Sequence, residues 1–403
     1  MHISASYPHV KRDEDEEGIS RYVPGDLHPV SLGELYNNKY LVLRKLGYGR
    51  YSTVWLVQDT SAKLLWAMKV LSASCYGTES DIFELEILQH LKSGDVTHPG
   101  YQYSILHDSF THKGPNGEHV CLIFKLMGES LRTFREWFDG RIPTHLVQKF
   151  TRQLLHALEY AHGRGVIHTE DIQPSNIMIQ IPDESLLTPH ISIPNILPDT
   201  SSSPPREYKI IQTHSLREIY FAEDFNVMDL NITLSDWGVA SFVSHHMSEE
   251  IQPLLLRAPE VLFGAKWDEK VDIWNLGALV PELVFGQRMF CARDERGAYS
   301  VGRHLEEMVG LLGAMPGCLL EKGDREVVIE WFGEDGELRG RGLEKVVSLE
   351  KRFEGMDLRE RGKFLAFVRK MLVLDPGKRL TARELLGEDW LKHDYDADVP
   401  EEN

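Results

Sequence analysis

Two short strings set the terms on which this chain can fold. Asp171 and Asn176 stand in HTEDIQPSN, and Asp236 with Gly238 stands in LSDWGVAS, which is followed by LLLRAPEVLFG. Two acidic groups and an amide, delivered by two loops inside one domain, suit a hard cation that prefers oxygen. Asn176 and Asp236 would grip the metal, leaving Asp171 to accept the proton of an attacking hydroxyl. This is what magnesium-dependent phosphoryl transfer requires, so the two loops must meet.

Upstream, LRKLGYGRYSTVWLVQD has the apolar alternation of two strands joined by a tight turn. Gly47 and Gly49 would let backbone N–H groups approach a polyphosphate with no Cβ in the way, although an ordinary hairpin explains the same pair. The next strand, KLLWAMKVL, ends its apolar run at Lys69, and a lysine inside a buried strand needs a partner. Glu84 in SDIFELEILQHL supplies one, on an amphipathic helix whose Ile82, Leu85 and Leu88 are expected to face inward. The competing readings have Lys69 reaching to solvent, or Glu79 or Glu86 taking the place of Glu84. HVCLIFKLMGESL reads as a buried strand running into a hinge, or as a core strand with a turn at Gly128. Asp272 opens the apolar helix in KVDIWNLGALVPELVFGQ, where its charge favours the helix dipole.

Taken in order, the glycine pair, the strand lysine, the helix glutamate and the two loops resemble the signature set of the eukaryotic protein kinases. The segments HPVSLGELYNNKYLVLRKLGYGRYSTVWL, HTEDIQP, EEIQPLLLRAPEVLFG and HLEEMVGLLGAMP look like the SR-protein kinase group of the CMGC kinases, particularly its shorter fungal-type members. The likeness covers about residues 22–393. It implies an α+β, two-lobed fold: a β-rich N-lobe over residues 22–127 and a helical C-lobe over residues 128–393, clasping ATP and Mg2+. The nucleotide set it implies is Leu46, Gly47, Gly49, Ser52, Val54, Ala67, Lys69, Glu84, Phe124, Lys125 and Met127. Val54 would lie over the adenine, Phe124 would guard the back of the pocket, and the backbone of Lys125 and Met127 would bond the adenine edge. Asp171 would be the base, Asn176 and Asp236 the magnesium ligands. Glu260 would pair with Arg379, and Asp272 would brace the catalytic loop.

The departures are specific. Ser52 replaces the third glycine, Lys125 the usual hinge glutamate, and Trp237 stands in the metal-binding triplet. His168 is one residue farther from Asp171 than usual, because Thr169 and Glu170 both intervene. Gln173 stands where a lysine normally neutralises the transferred phosphate; an amide donates hydrogen bonds but brings no charge. Glu170 is a competing candidate for the base, although a one-residue shift turns its side chain away.

Composition agrees with a two-lobed enzyme. Hydrophobic residues make up 42% of 403, ample for a sizeable core. The four cysteines, Cys75, Cys121, Cys291 and Cys318, show no paired spacing, which points to a reducing compartment; the resemblance implies cytoplasm and nucleus. The N-terminal MHISASYPHVKRDEDEEG carries charges where a signal peptide needs an apolar core, and no stretch suits a bilayer, so neither secretion nor a membrane is expected. A formal net charge of −18 disfavours nucleic acid as a direct ligand and favours basic protein partners. Residues 1–21 read as an acidic, disordered tail, and 394–403 as a second acidic tail. A Pro/Ser-rich spacer at about 181–225 reads as a passive surface loop or as the spacer that SR-protein kinases carry at this point; residues 287–350 form a late insert with no assignable chemistry.

The combined expectation is a monomeric serine/threonine kinase that transfers the γ-phosphate of ATP to arginine/serine-rich proteins of RNA processing. Two alternatives stay open: a nucleotide-binding scaffold with little turnover, favoured by Gln173, and a small-molecule kinase, disfavoured by Ala258-Pro259-Glu260. The short activation segment, with Ser241, Ser244 and Ser248 as its only hydroxyls before Arg257, is expected to work without phosphorylation.

Overall fold

The structure is a computed structural model that describes residues 16–76, 83–103, 106–169, 172–181, 187, 191, 208–214, 216, 226–339 and 346–392. They fall into two compact units. One is drawn from Met1–Gly94, Ser104–Thr133 and Met178–Thr233, the other from Asp95–Tyr103, Phe134–Ile177 and Leu234–Asn403.

The first unit is built on a sheet of order β1-β2-β3-β4-β6-β5. Its strands are β1 (Leu35–Tyr36), β2 (Tyr40–Gly49), β3 (Ser52–Asp59), β4 (Leu65–Leu71), β5 (Asp108–Gly114) and β6 (Gly117–Phe124). Period-two alternation sends Val42, Trp55, Val57, Met68, Val70, Cys121 and Ile123 into one buried cluster. The opposite face carries Leu43, Leu56, Leu65, Ala67 and Leu126, joined by Leu187, Ile191 and Leu216 from the spacer. Both faces are therefore covered, and the spacer contributes to the core; the reading as a passive surface loop does not survive. Helix α1 (Glu84–Lys92) buries Glu84, Ile87, Leu88 and Leu91. Leu85 is only half-buried and Ile82 lies outside the described residues, so the inward face is turned from the one expected. Glu84 turns inward to meet Lys69, and Ile87, Leu88 and Leu91 follow it on the same i, i+3, i+4, i+7 face. A short second sheet, of order β10-β9-β7, contains β7 (Met127–Ser130), β9 (Ile177–Gln180) and β10 (Ile232–Leu234).

The expected tail extends too far. Residues 1–15 and 393–403 lie outside the described residues, but Glu16 and Glu17 are fixed and Ile19–Arg21 forms a helical turn. Lys45, wholly buried in β2, is the reason: its ammonium meets Glu16 at 2.7 Å, Glu17 at 2.5 Å and the Ile211 carbonyl at 3.1 Å. A buried cation requires partners of this kind. Glu16 is itself held by Thr213, whose backbone N–H and hydroxyl donate to it at 2.6 and 3.0 Å.

The second unit is helical. Its α2 (Thr144–Gly163) buries Leu146, Phe150, Leu154, Leu158 and Ala161 along one stripe. Helix α3 (Lys270–Phe285) is buried nearly all round. A Cβ at Gly277 of α3 would stand 2.8 Å from the Met371 Cβ in α5 (Leu358–Met371), so glycine lets these two helices approach. The late insert forms α4 (Val301–Leu312) and short helical turns at Gly317–Leu320 and Arg325–Trp331. Among the described residues no helix is long and apolar enough to cross a membrane.

Candidate active site

In the first unit, β2 and β3 close a hairpin in which Gly47 pairs with Val54 and Gly49 with Ser52. Neither glycine is demanded by the protein. A Cβ at Gly47 would meet nothing within 4 Å, and one at Gly49 only the Ser52 hydroxyl at 3.6 Å. Bare backbone facing open space is what a polyphosphate needs. Ser52 is a buried strand residue paired with both Gly49 and Leu71, which accounts for a side chain in place of the third glycine.

Lys69 in β4 reaches α1, where its ammonium meets Glu84 Oε1 at 2.7 Å and Oε2 at 2.9 Å. The Lys69 side chain is 17% exposed and that of Glu84 only 3%, so the carboxylate is closed in while part of the lysine stays reachable. Glu86 is exposed and Glu79 lies outside the described residues. The Tyr76 hydroxyl accepts the Leu85 N–H at 2.7 Å, which steadies the helix start carrying Glu84. Ala67 pairs with Phe124 across β4 and β6. Leu46, Val54 and Phe124 pack against the cluster that holds Ala67, Leu126 and the spacer's Leu187, Ile191 and Leu216. Lys125 and Met127 border a cavity of about 280 Å³ whose other lining includes Gln180, Ile181, Asp229 and Asn231.

In the second unit, β8 (Val166–Ile167) pairs with β11 (Ser241–Phe242), which draws the two signature loops together. Asp272, 1% exposed, accepts the backbone N–H of His168 at 2.9 Å and of Thr169 at 3.1 Å, and His162 Nε2 lies 2.9 Å from it. This is the bracing expected of Asp272. Thr169 holds a left-handed φ of 54° and donates its hydroxyl to the Val239 carbonyl at 2.6 Å. At the far end of the loop, the Asn176 carbonyl accepts from the Ser235 N–H at 2.9 Å and its hydroxyl at 2.8 Å. Both ends are tied down around the extra residue; Glu170 and Asp171 themselves lie outside the described residues. Gln173 occupies the position before the helical turn Pro174–Asn176, in extended conformation.

Asp236 has a φ of 61°, a left-handed conformation that costs a non-glycine residue free energy and is held by its neighbours. Trp237 explains itself by packing: 2% exposed, it sits edge-on to His168 at 4.7 Å and donates to the Leu234 carbonyl at 3.2 Å. Asn176 and Asp236 are both oxygen donors, one amide and one carboxylate, and such a donor set fits Mg2+.

Sequence reasoning passed over Gln252. It is 8% exposed with a left-handed φ of 66°. Its amide donates to the Val271 carbonyl and to Asn275, and accepts the Ala258 N–H at 2.8 Å; its carbonyl accepts from Arg257 Nε at 3.1 Å. A polar residue inside the otherwise apolar IQPLLL run was the available signal. Just beyond, Glu260 and Arg379 form a two-pronged pair at 2.7 and 3.0 Å, with side chains 1% and 0% exposed. Arg379 also donates to the carbonyls of Val373 and Lys270 and stacks over Trp274.

A family model described as protein kinase domain matches residues 40–192 and 219–391. The chain is 32% identical to the serine/threonine-protein kinase SRPK of Physarum polycephalum, over 96% of this chain and 93% of that one. It is 28% identical to protein kinase dsk1 of Schizosaccharomyces pombe, over 94% and 85%. With human SRSF protein kinase 3 the identity is 25%, over 94% and 91%. The crystal structure of a kinase domain, 22% identical, matches with a TM-score of 0.63 over 90% of this chain and 98% of that one, which speaks to the fold. A kinase-domain match over most of the sequence, joined to this kinship, means that the chain belongs to the protein kinase family, among the serine/threonine kinases of the SRPK type.

Proposed function

We propose that this kinase phosphorylates serines flanked by arginines in basic, extended protein segments, using ATP and Mg2+. The observation that carries the catalytic half of this reading is the Lys69–Glu84 pair, in which a closed carboxylate orients a lysine that still has a reachable face. ATP supplies the γ-phosphoryl group, and Mg2+ bound to its phosphates offsets their charge. Lys69 would donate to phosphate oxygens, Gly47 and Gly49 would offer backbone N–H groups, and Asn176 and Asp236 would hold the metal. Asp171 would take the proton of the substrate hydroxyl, and Gln173 would donate an uncharged hydrogen bond near the transferred group.

The substrate half rests on charge and kinship. There are 62 acidic against 44 basic side chains, and one relative is named as an SRSF protein kinase. Arginine-rich segments bind extended along acidic surfaces and lose affinity as salt screens charges beyond about 8 Å. The test is transfer of labelled phosphate to a degenerate peptide array, with Asp236→Asn as control. Arginine beside the serine should dominate, with rates falling steeply as salt rises. An array ruled by proline after the serine would overturn the substrate class and leave the kinase assignment standing.

A further inference from the structure

The β5–β6 hairpin carries a cluster of imidazoles that phosphoryl transfer does not use. His112 on β5 lies directly opposite His119 on β6. His28, from the segment before β1, brings its ring centroid to 4.7 Å from that of His112 and 4.8 Å from that of His119. His28 is 3% exposed and His119 fully buried. Neither ring nitrogen of His28 has a hydrogen-bond partner among the described residues, and Nε2 of His119 has none either. Two buried imidazoles with idle nitrogens are a cost to any fold unless something binds them.

The remaining geometry is that of a ligand set. His119 Nδ1 lies 2.9 Å from the Leu71 carbonyl, so it carries the proton and leaves a lone pair on Nε2. Glu34 is oriented through one oxygen, which accepts from the Ser31 N–H at 3.0 Å and the Tyr36 hydroxyl at 3.2 Å. One ligand atom each of His28, Glu34 and His112 lies within 4.8 Å of the others. Gly114 makes room: a Cβ there would stand 2.2 Å from the His28 ring.

We propose that His28, Glu34 and His112 form a site for a divalent transition metal of the zinc class, the fourth position taken by water. Imidazoles with one carboxylate select such an ion over Mg2+, which prefers an all-oxygen set. Bonds of about 2.0 Å to the ion would draw together the ligand atoms, which now lie within 4.8 Å of one another. The ion would staple the segment before β1 to the β5–β6 hairpin and satisfy one of the two idle nitrogens of His28. The competing account is a purely aromatic contact among neutral rings.

The test uses the full chain without a histidine tag, stripped with a chelator and titrated with Co2+ and then Zn2+ in buffer containing Mg2+. We expect one equivalent of metal by elemental analysis, the intense visible bands of tetrahedral Co2+, their displacement by Zn2+, and a thermal midpoint raised by roughly 4 °C or more. H112Q and E34Q alter half-buried side chains, and each should abolish the bands and the thermal shift while circular dichroism stays unchanged. Should H112Q fail to fold, E34Q and the wild-type titration decide. Wild-type protein that shows no tetrahedral bands, or binding that survives both substitutions, overturns the proposal.

Discussion

The two ion pairs, Lys69–Glu84 in one unit and Arg379–Glu260 in the other, look alike in distance and differ in what surrounds them. Arg379 and Glu260 are 0% and 1% exposed, and the guanidinium is further occupied by the carbonyls of Val373 and Lys270. Lys69 keeps 17% of its side chain exposed over a carboxylate that is 3% exposed. A pair enclosed on every side by protein holds chain segments together; a pair enclosed on one side presents a charge to something else. Burial of the second partner, more than the bond length, separates scaffold from chemistry.

The largest effect that sharpens this contrast is on catalysis. Lys69→Met and Asp236→Asn should each lower kcat/KM by about 10²–10³-fold or more, Asp236→Asn with a thermal midpoint close to wild type and Lys69→Met with a lowered one, because it leaves the Glu84 carboxylate without its cation. Steady-state kinetics beside thermal melts would show it, and full activity in either variant would break the kinase reading of the pair.

Next is the enclosed pair. Arg379→Met strands a buried Glu260 carboxylate, and the expected loss is about 3–5 kcal/mol of stability in denaturant unfolding. A loss below about 1 kcal/mol would mean that the two pairs are not different in kind.

A smaller effect belongs to Gln173. Gln173→Lys restores a positive charge beside the transferred phosphate and should raise kcat by up to about tenfold, with little change in KM for ATP. An unchanged kcat would place the missing charge outside the rate-limiting step.

The smallest expected effect is none. The activation segment is held by Gln252 donating to the Val271 carbonyl, by the Ser241 hydroxyl accepting the Met247 N–H at 3.1 Å, and by His246 stacked on Trp267 at 3.7 Å. Phosphatase treatment of the purified kinase should therefore leave activity unchanged. Abolished activity would show that this segment needs a phosphate as well as its enclosed contacts.

The elements legible in the sequence were those whose chemistry announces itself. A lysine ending an apolar strand and a glutamate opening a helix call for one another. Likeness to a family supplied the longer reach from Glu260 to Arg379, which no local pattern encodes. What escaped were polar residues satisfied by partners elsewhere along the chain. Gln252 is one; Glu16 and Glu17, which look like solvated acids until Lys45 is seen buried beside them, are two more. The inward face of α1 was misphased because Leu85 and Ile87 are equally apolar, and it is Glu84, turned inward to Lys69, that shares its face with Ile87. The spacer leucines were hidden by the Pro/Ser-rich composition around them.

The buried lysine of β2 has a consequence for the order in which the protein is made. Its ammonium is closed in by Glu16 and Glu17, and Glu16 is in turn held by Thr213, 197 residues away along the chain. On the ribosome the sheet strands up to β6 emerge long before Thr213 does, and contacts of such sequence separation form late. The nascent first unit must therefore wait with an incompletely enclosed charge until the spacer has been synthesised. Its last step of assembly is the return of a downstream segment to the N-terminal end, which makes the intervening insertion part of the folding route.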